Sequence, residues 1–384
     1  MKHIYKLCLI GCGIIILFSG ILIEHKFGFI SFLNRFFEDP VTSVHIIAAG
    51  DAMCHPTQYA NAKKSEDNGY DFSGCFQYLP NILAKGDLNI VNLETTLAGP
   101  PYSGFPNFCA PDEFAVALKN AGFNFFMLAN NHCADTGTEG AMLTVKKLHK
   151  MEVLSAGTYL DEQDRQRRYP ALVEIKGIKI ALLNYTLSTN GLTVKKPVSI
   201  NMLYNTEQIK KDLETAKNQQ ADVIIAFLHW GNEFEQTPDM EQKVFAKFFF
   251  ENGTDIIIGS HPHVAQPAEY FAYDETDIAK KKFVYWSLGN LISDQKKEYT
   301  DAGIMASFTI TKNKKTNHIQ IENHRAIPFW VYRNATLYPG FFVLPAKGFL
   351  NDTITLTFKF SNKDYTAFQQ SIGNMNKVMP KSDE

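Results

Sequence analysis

The chain has 384 residues, of which 45% are hydrophobic, 13% aromatic and 20% charged. That balance excludes extended disorder and supports a buried core without covalent staples. Lys and Arg number 38 against 40 Asp and Glu, a formal charge of −2, so no global positive field exists to hold a nucleic-acid backbone and no nucleic-acid partner is expected. In chain order, the first predicted element is Leu7 to Ile23, an apolar run without a charge, preceded by Lys2 and Lys6 and followed by Glu24, His25 and Lys26. Its length is at the short end of what crosses a bilayer, about 17 to 25 residues. No small-x-small cleavage site follows, and Phe27, Phe29, Ile30, Phe32 and Leu33 continue the apolar character. Leu9-Ile10-Gly11-Cys12 has the form of an acylation box, but most of the apolar run lies after Cys12. The prediction is an uncleaved N-terminal transmembrane anchor with a linker, residues 1–43. Basic residues ahead of the run favour a cytoplasmic N-terminus. The bulk of the chain is then expected outside the inner membrane, facing the periplasm or the cell surface.

From Val44 the chain repeats apolar strand, polar loop, helix. Strands are predicted at Val44–Asp51, Leu88–Glu94, Phe123–Leu128, Lys179–Leu183, Ala221–Leu228, Thr254–Ile258 and Lys282–Trp286. Between them, Glu113–Ala121, Gly140–Met151, Thr206–Asn218 and Met240–Asn252 carry apolar residues at helical spacing. Gly122 and Gly253 serve as stop signals. This alternation predicts an α/β class with sheets buried by helices, over residues 44–302. From Gly303 the pattern changes to strands at Gly303–Thr311, His318–Val331 and Thr353–Phe360, with a loose polar tail from Asn374. Residues 303–384 thus read as a β-rich extension that either completes the same sheets or forms a small added unit. All six Cys lie in the first 133 residues. Cys54, Cys75, Cys109 and Cys133 lie past the anchor, and the residues alone do not choose between disulfides and buried free thiols.

The polar residues carry the functional signal. Asp51, Glu94, Asn131, His132, His229, His261 and His263 each stand at, or just past, the C-terminal end of a predicted strand. In an open α/β sheet those ends share the edge where ligands bind. Carboxylate, carboxamide and imidazole together suit one or two divalent metal ions such as Zn, Mn or Fe. The chain has no thiolate pattern for a structural zinc.

The order Gly50-Asp51, Asn92-Leu93-Glu94, Ala129-Asn130-Asn131-His132, His229-Trp230-Gly231-Asn232-Glu233, Gly259-Ser260-His261-Pro262-His263-Val264 and Ser287-Leu288-Gly289-Asn290 resembles the CapA family of bacterial capsule and poly-γ-glutamate synthesis proteins. The resemblance covers about residues 44–295. It implies a fold similar to calcineurin-like metallophosphoesterases, a layered β-sandwich flanked by helices. It also implies a membrane-anchored partner of a synthesis and export complex that handles an anionic polymer or its precursor. Carried over, it makes Asp51 and His263 ligands of a first metal, His229 and His261 ligands of a second, Glu94 a carboxylate bridging the two, and Asn131 a further ligand. His132 takes the place of the residue that protonates a leaving group. Metallophosphoesterases begin with Asp-x-His, whereas the third position here is Met53, a poor ligand for hard metals. Three functions follow as expectations: a capsule synthesis and export protein with a metallophosphatase-like site, a metal-dependent phosphoesterase or polymer hydrolase, and a polymer-binding export subunit without catalysis. Near the motifs, Phe105, Phe108 and Trp230 either shape a groove or only pack. Glu233 either supports a ligating His or is solvated.

Overall fold

The computed structural model describes residues 40–65, 69–272, 281–346 and 355–378. The predicted anchor lies outside them. Among the described residues no helix is long and apolar enough to cross a membrane. The chain divides into two units, residues 1–42 with 313–318, and residues 43–312 with 319–384. The second unit carries the sheets and every candidate site residue.

In chain order the strands are β1 (Val41–Ala52), β2 (Leu88–Leu93), β3 (Phe125–Met127), β4 (Leu154–Ala156), β5 (Thr158–Tyr159), β6 (Ala171–Ile175), β7 (Ile178–Thr186) and β8 (Ser199–Ile200). They continue with β9 (Val223–His229), β10 (Ile256–Ser260), β11 (Ala268–Ala272), β12 (Lys281–Tyr285), β13 (Asn290–Ile292), β14 (Ala302–Asn313), β15 (Ile319–Arg333) and β16 (Phe341–Pro345). One sheet has the order β16-β15-β14-β1-β2-β3-β4, with β13 also paired to β1. A second has the order β11-β12-β10-β9-β7-β6, and β5 pairs with β8 separately. Strands β1 to β4 run parallel, as do β7, β9, β10 and β12. Antiparallel β6 and β11 close the edges of the second sheet.

Alternation along β1 explains the layering. Val44, Ile46 and Ala48 join Ile180, Leu182, Ile225 and Ile257 of the second sheet in one core. Ile47 and Ala49 face the other way, onto Phe114, Leu118, Val145 and Leu148 of the helices Asp112–Ala121 and Gly137–Lys150. Helices Thr206–Asn218 and Met240–Glu251 cover the second sheet through Ile209, Leu213, Phe245 and Phe249. Each such side chain contributes about 1.5–3 kcal/mol by leaving water. The helices start where hydrogen-bonding caps stand: Asn205 accepts from the Gln208 N–H, and Asp239 forms a reciprocal box with Gln242. The result is the layered α/β fold expected, two sheets between helices.

Of the two alternatives for the segment after Gly303, β14 and β15 follow the first: β14 lies beside β1 in the first sheet. The predicted strand Thr353–Phe360 is corrected: residues 355–360 form no strand, and the rest of it lies outside the described residues. Of the tail expected to be loose from Asn374, residues 376–378 form a turn, the rest past 378 lies outside the described residues, and Asn374 and Met375 end a helix, Asn362–Met375. Ser361 and Asp364 form its capping box, and Phe368, Ile372 and Met375 are buried at spacings of four and three. That periodicity is present in the sequence, diluted by the polar residues around it. Short strands such as β4, β5 and β13 were missed because two or three residues carry no readable alternation.

Candidate metal centre

The C-terminal ends of β1, β2, β3, β9 and β10 meet at one edge. Asp51 lies in β1, opposite Asn92 of β2 and Asn290 of β13. Glu94 follows β2, Asn130-Asn131-His132 follows β3, and His229 ends β9 opposite Ser260 of β10. His261 and His263 continue from β10. Two glycines of the motifs let backbones approach here. A Cβ on Gly50 would stand 2.0 Å from the Gly289 carbonyl oxygen, and one on Gly259 would stand 1.9 Å from the Trp286 carbonyl oxygen. Only glycine permits these contacts, which explains why Gly50-Asp51 and Gly259-Ser260-His261 occur with Ser287-Leu288-Gly289-Asn290.

The distances join the residues into one cluster. His263 Nδ1 lies 3.1 Å from Asp51 Oδ2, and the His261 N–H donates to the same oxygen at 3.2 Å. His229 Nε2 lies 2.9 Å from Asn131 Oδ1, 3.1 Å from His261 Nδ1 and 3.6 Å from Glu94 Oε1. His263 Nε2 is 3.8 Å from Glu94 Oε1. Asn92 Nδ2 donates to Asp51 Oδ1 at 2.8 Å and to Glu94 Oε2 at 3.4 Å. Ser260 Oγ lies 2.9 Å from His229 Nδ1 and so orients that ring. His261 and His263 have φ of 101° and 60°. Left-handed backbone at a bulky residue costs on the order of 1–3 kcal/mol and marks a site that holds its side chains in place.

The electrostatics favour a cation. Asp51 and Glu94 are fully buried. Burial works to raise the Asp51 pKa, but hydrogen bonding and charge from His263, the charge of His229 and the Asn92 amide hold it well below the usual carboxylate range. Burial, then the Asp51 charge, pushes Glu94 well above its ordinary value. Burial, then the neighbouring imidazole, keeps His229 neutral, and His261 is lowered to about 3 by burial and His263. Neutral imidazoles with an ionised Asp are the protonation states that ligate metals. Glu94 Oε1 is buried and has no hydrogen-bond partner among the described residues. A divalent ion would satisfy that oxygen and reverse the Glu94 shift. Three donor groups could hold one: Asp51, Glu94 and His263; Glu94, His229 and His261; and Glu233, His261 and His263. The residues present therefore fit a divalent metal.

His132 stands beside this cluster as a member of a different pair. Its Nδ1 lies 2.7 Å from Asp135 Oδ2, which also accepts the Phe108 N–H at 2.5 Å. The Phe108 ring packs edge-on against His132 at 4.7 Å and against His55 at 4.9 Å. Of the aromatics singled out, Phe108 is buried in that stack and Phe105 is 79% exposed. Trp230 is buried and donates to the Trp286 carbonyl. Glu233 is exposed yet within reach of His261 and His263. Met53 is buried, with the Ser293 hydroxyl 3.8 Å from its sulfur. His55 spends Nδ1 on Gln58 and on the Asp294 N–H, so that nitrogen does not replace the missing imidazole. The four described thiols, Cys54, Cys75, Cys109 and Cys133, are free and buried, and burial pushes Cys133 up to about 12. Asn92, Asp135 and Ser260 were not assigned from sequence. Asn92 stands two residues before Glu94 in a quoted motif, so its alternation onto the same face was the available signal.

A family model described as "Bacterial capsule synthesis protein PGA_cap" matches residues 45–295, more than half of the chain. The chain belongs to this family. The "PGA biosynthesis protein CapA" of Bacillus subtilis (strain 168) is 28% identical over 280 residues, 69% of this chain and 69% of that protein. The "Capsule biosynthesis protein CapA" of Bacillus anthracis is 31% identical over 192 residues, covering 48% of this chain. That match spans 44% of the anthracis protein, less than half its length. Among solved structures, the calcineurin-like phosphoesterase YfkN of Bacillus subtilis has a TM-score of 0.45 at 14% identity, over 88% of this chain and 99% of that one. A phosphatase of Mycoplasma pneumoniae has a TM-score of 0.42 at 15% identity, over 75% and 94%. Likeness at that level says nothing about activity.

Proposed function

We propose that this PGA_cap-family chain acts in capsule or poly-γ-glutamate biosynthesis and export, gripping an anionic polymer or its precursor at a divalent metal centre. One observation carries the reading: motifs that lie within the residues matched by the family model end, in this fold, on a buried set of carboxylates and imidazoles around Glu94 Oε1, which has no hydrogen-bond partner among the described residues. In this reading Asp51, Glu94, Asn131, His229, His261 and His263 hold one or two ions, with Mn, Zn or Fe suited to mixed oxygen and nitrogen donors. A bound ion would supply positive charge for an oxyanion of the polymer. Localisation follows the apolar run: an inner-membrane anchor, the bulk of the chain extracytoplasmic, and a membrane synthesis complex as partner.

A second reading, a metal-dependent phosphoesterase or polymer hydrolase, is favoured by the His132–Asp135 pair. An Asp on Nδ1 leaves Nε2 to carry the proton that a general acid delivers. Absence of a donor from Met53 favours binding without turnover. The full-length protein, purified in detergent, is assayed for metal content and for activity on phosphodiesters and γ-linked glutamate polymer. His261→Ala should lower the metal content severalfold. Unchanged content rejects the metal centre, and a metal-loaded protein that binds polymer without turning it over rejects the hydrolase reading.

A further inference from the structure

Glu233 lies on the loop that leads from His229, the last residue of β9, to the helix Met240–Glu251. One of its carboxylate oxygens and a ring nitrogen from each of His261 and His263 lie within 4.8 Å of one another. Donors held at about 2.0–2.2 Å from one ion stand about 3–4 Å apart, a gap that a turn of the exposed Glu233 side chain closes. Among the described residues no hydrogen bond or ion pair occupies that carboxylate. The backbone around it, by contrast, is fixed. The Phe234 N–H donates to the Pro262 carbonyl at 2.8 Å, which ties the residue after Glu233 to the residue between His261 and His263. The buried Gln266 amide donates to the Glu235 carbonyl at 2.9 Å and to the Thr237 carbonyl at 3.2 Å. Phe234 itself has a φ of 68°, a left-handed backbone that a bulky residue keeps only where its surroundings hold it, and its ring lies 6.1 Å from that of His263.

The other two donor groups draw their carboxylates from Asp51 and Glu94, which are fully buried. Glu233 is exposed and therefore approaches the same imidazoles from the solvent side. We propose that Glu233 is itself a ligand of the metal centre, completing a set of two imidazoles and one carboxylate with His261 and His263. It supplies an oxygen donor in a chain whose Asp-x-Met segment, Asp51 to Met53, lacks the imidazole of Asp-x-His. Two His and one carboxylate hold Zn or Fe with coordination positions left open, and a carboxylate in place of an imidazole makes the set harder and more negative, which suits Mn. The inference rests on the metal-centre reading above and adds a ligand that the six residues named there do not include.

The test uses the full-length protein in detergent, stripped of metal with a chelator and titrated calorimetrically with Mn²⁺ and, separately, with Zn²⁺. Glu233→Gln keeps the size of the side chain and removes its charge. It should weaken binding of the ion by about tenfold or more, while the denaturation midpoint of the metal-free protein stays where it is, since the side chain is exposed. Glu235→Gln is the control: Glu235 is exposed on the same loop and belongs to none of the three donor groups, so its loss should leave both affinities unchanged. Wild-type affinity in Glu233→Gln overturns the ligand and leaves the metal centre standing. An equal loss in Glu235→Gln also overturns it, because the effect is then one of loop charge acting through solvent. Wild-type protein that takes up neither ion sinks the metal centre and this ligand together.

Discussion

His132 and Asp135 are three residues apart, and their contact at 2.7 Å is buried. If the pair delivers a proton, His132→Ala should cut turnover of a phosphodiester by about 10²- to 10⁴-fold while leaving metal content unchanged by elemental analysis. Asp135→Asn should move the pH profile of that turnover, because it removes the charge that fixes the ring's tautomer; an unmoved profile denies Asp135 that part. His55 offers a second measurement at this scale. Burial lowers its pKa to about 4 against the opposing hydrogen bond to Gln58 Oε1 and the charge of Asp294, with His263 and Arg333 lowering it further. Its folded pKa lies below its unfolded value near 6.5, so the unfolded chain takes up the proton first. The stability it supports is complete above about pH 6.5 and is lost as pH falls toward 4. Chemical denaturation of metal-free protein across that window should show a slope that His55→Gln reduces; an unchanged slope removes His55 from the account. Asp51, Glu94 and the three strand-end imidazoles were readable because a charged residue after an apolar run is conspicuous. Asn92 and Asp135 were not, since an Asn within a strand and an Asp in a helix approach are ordinary until distances are known.

The elements that hold the site work through close backbone contact. Gly50 stands where β1 passes the Gly289 carbonyl, and Asp51 N donates to that carbonyl at 3.0 Å. Gly50→Ala forces β1 away from the Ser287–Asn290 segment. It should cost about 1–3 kcal/mol of stability as overpacking does, read by denaturant melts, and should lower metal affinity by moving Asp51. A variant that binds metal as wild type does would show that this contact does not set the Asp51 position. The Gly50-Asp51 motif was visible in the sequence as a word, but not its reason, because the partner carbonyl, that of Gly289, lies more than 200 residues away. Strands were legible at most runs of four or more apolar residues, but the run Phe341–Leu344 of β16 was not read as one. β13, with three residues, is defined by pairing to β1 rather than by its own composition.

Across the whole molecule, the C-terminal helix fastens the end of the first sheet. Phe368 is fully buried, with its ring 6.0 Å from Trp330 of β15 and 6.3 Å from Phe360. Phe368→Ala should destabilise the fold by about 3–5 kcal/mol, measured as a fall in denaturation midpoint. A change below about 1 kcal/mol would mean that the helix contributes little to the sheet it covers. Helical periodicity, strand runs and the donor residues of the metal centre could all be read from the chain, since each is a matter of neighbours a few positions apart. The pairing of β14 with β1, the approach of both sheets' C-terminal ends and the unmatched Oε1 of Glu94 could not. They arise from contacts between segments hundreds of residues apart, whose register is selected by packing two sheets and their helices into one core.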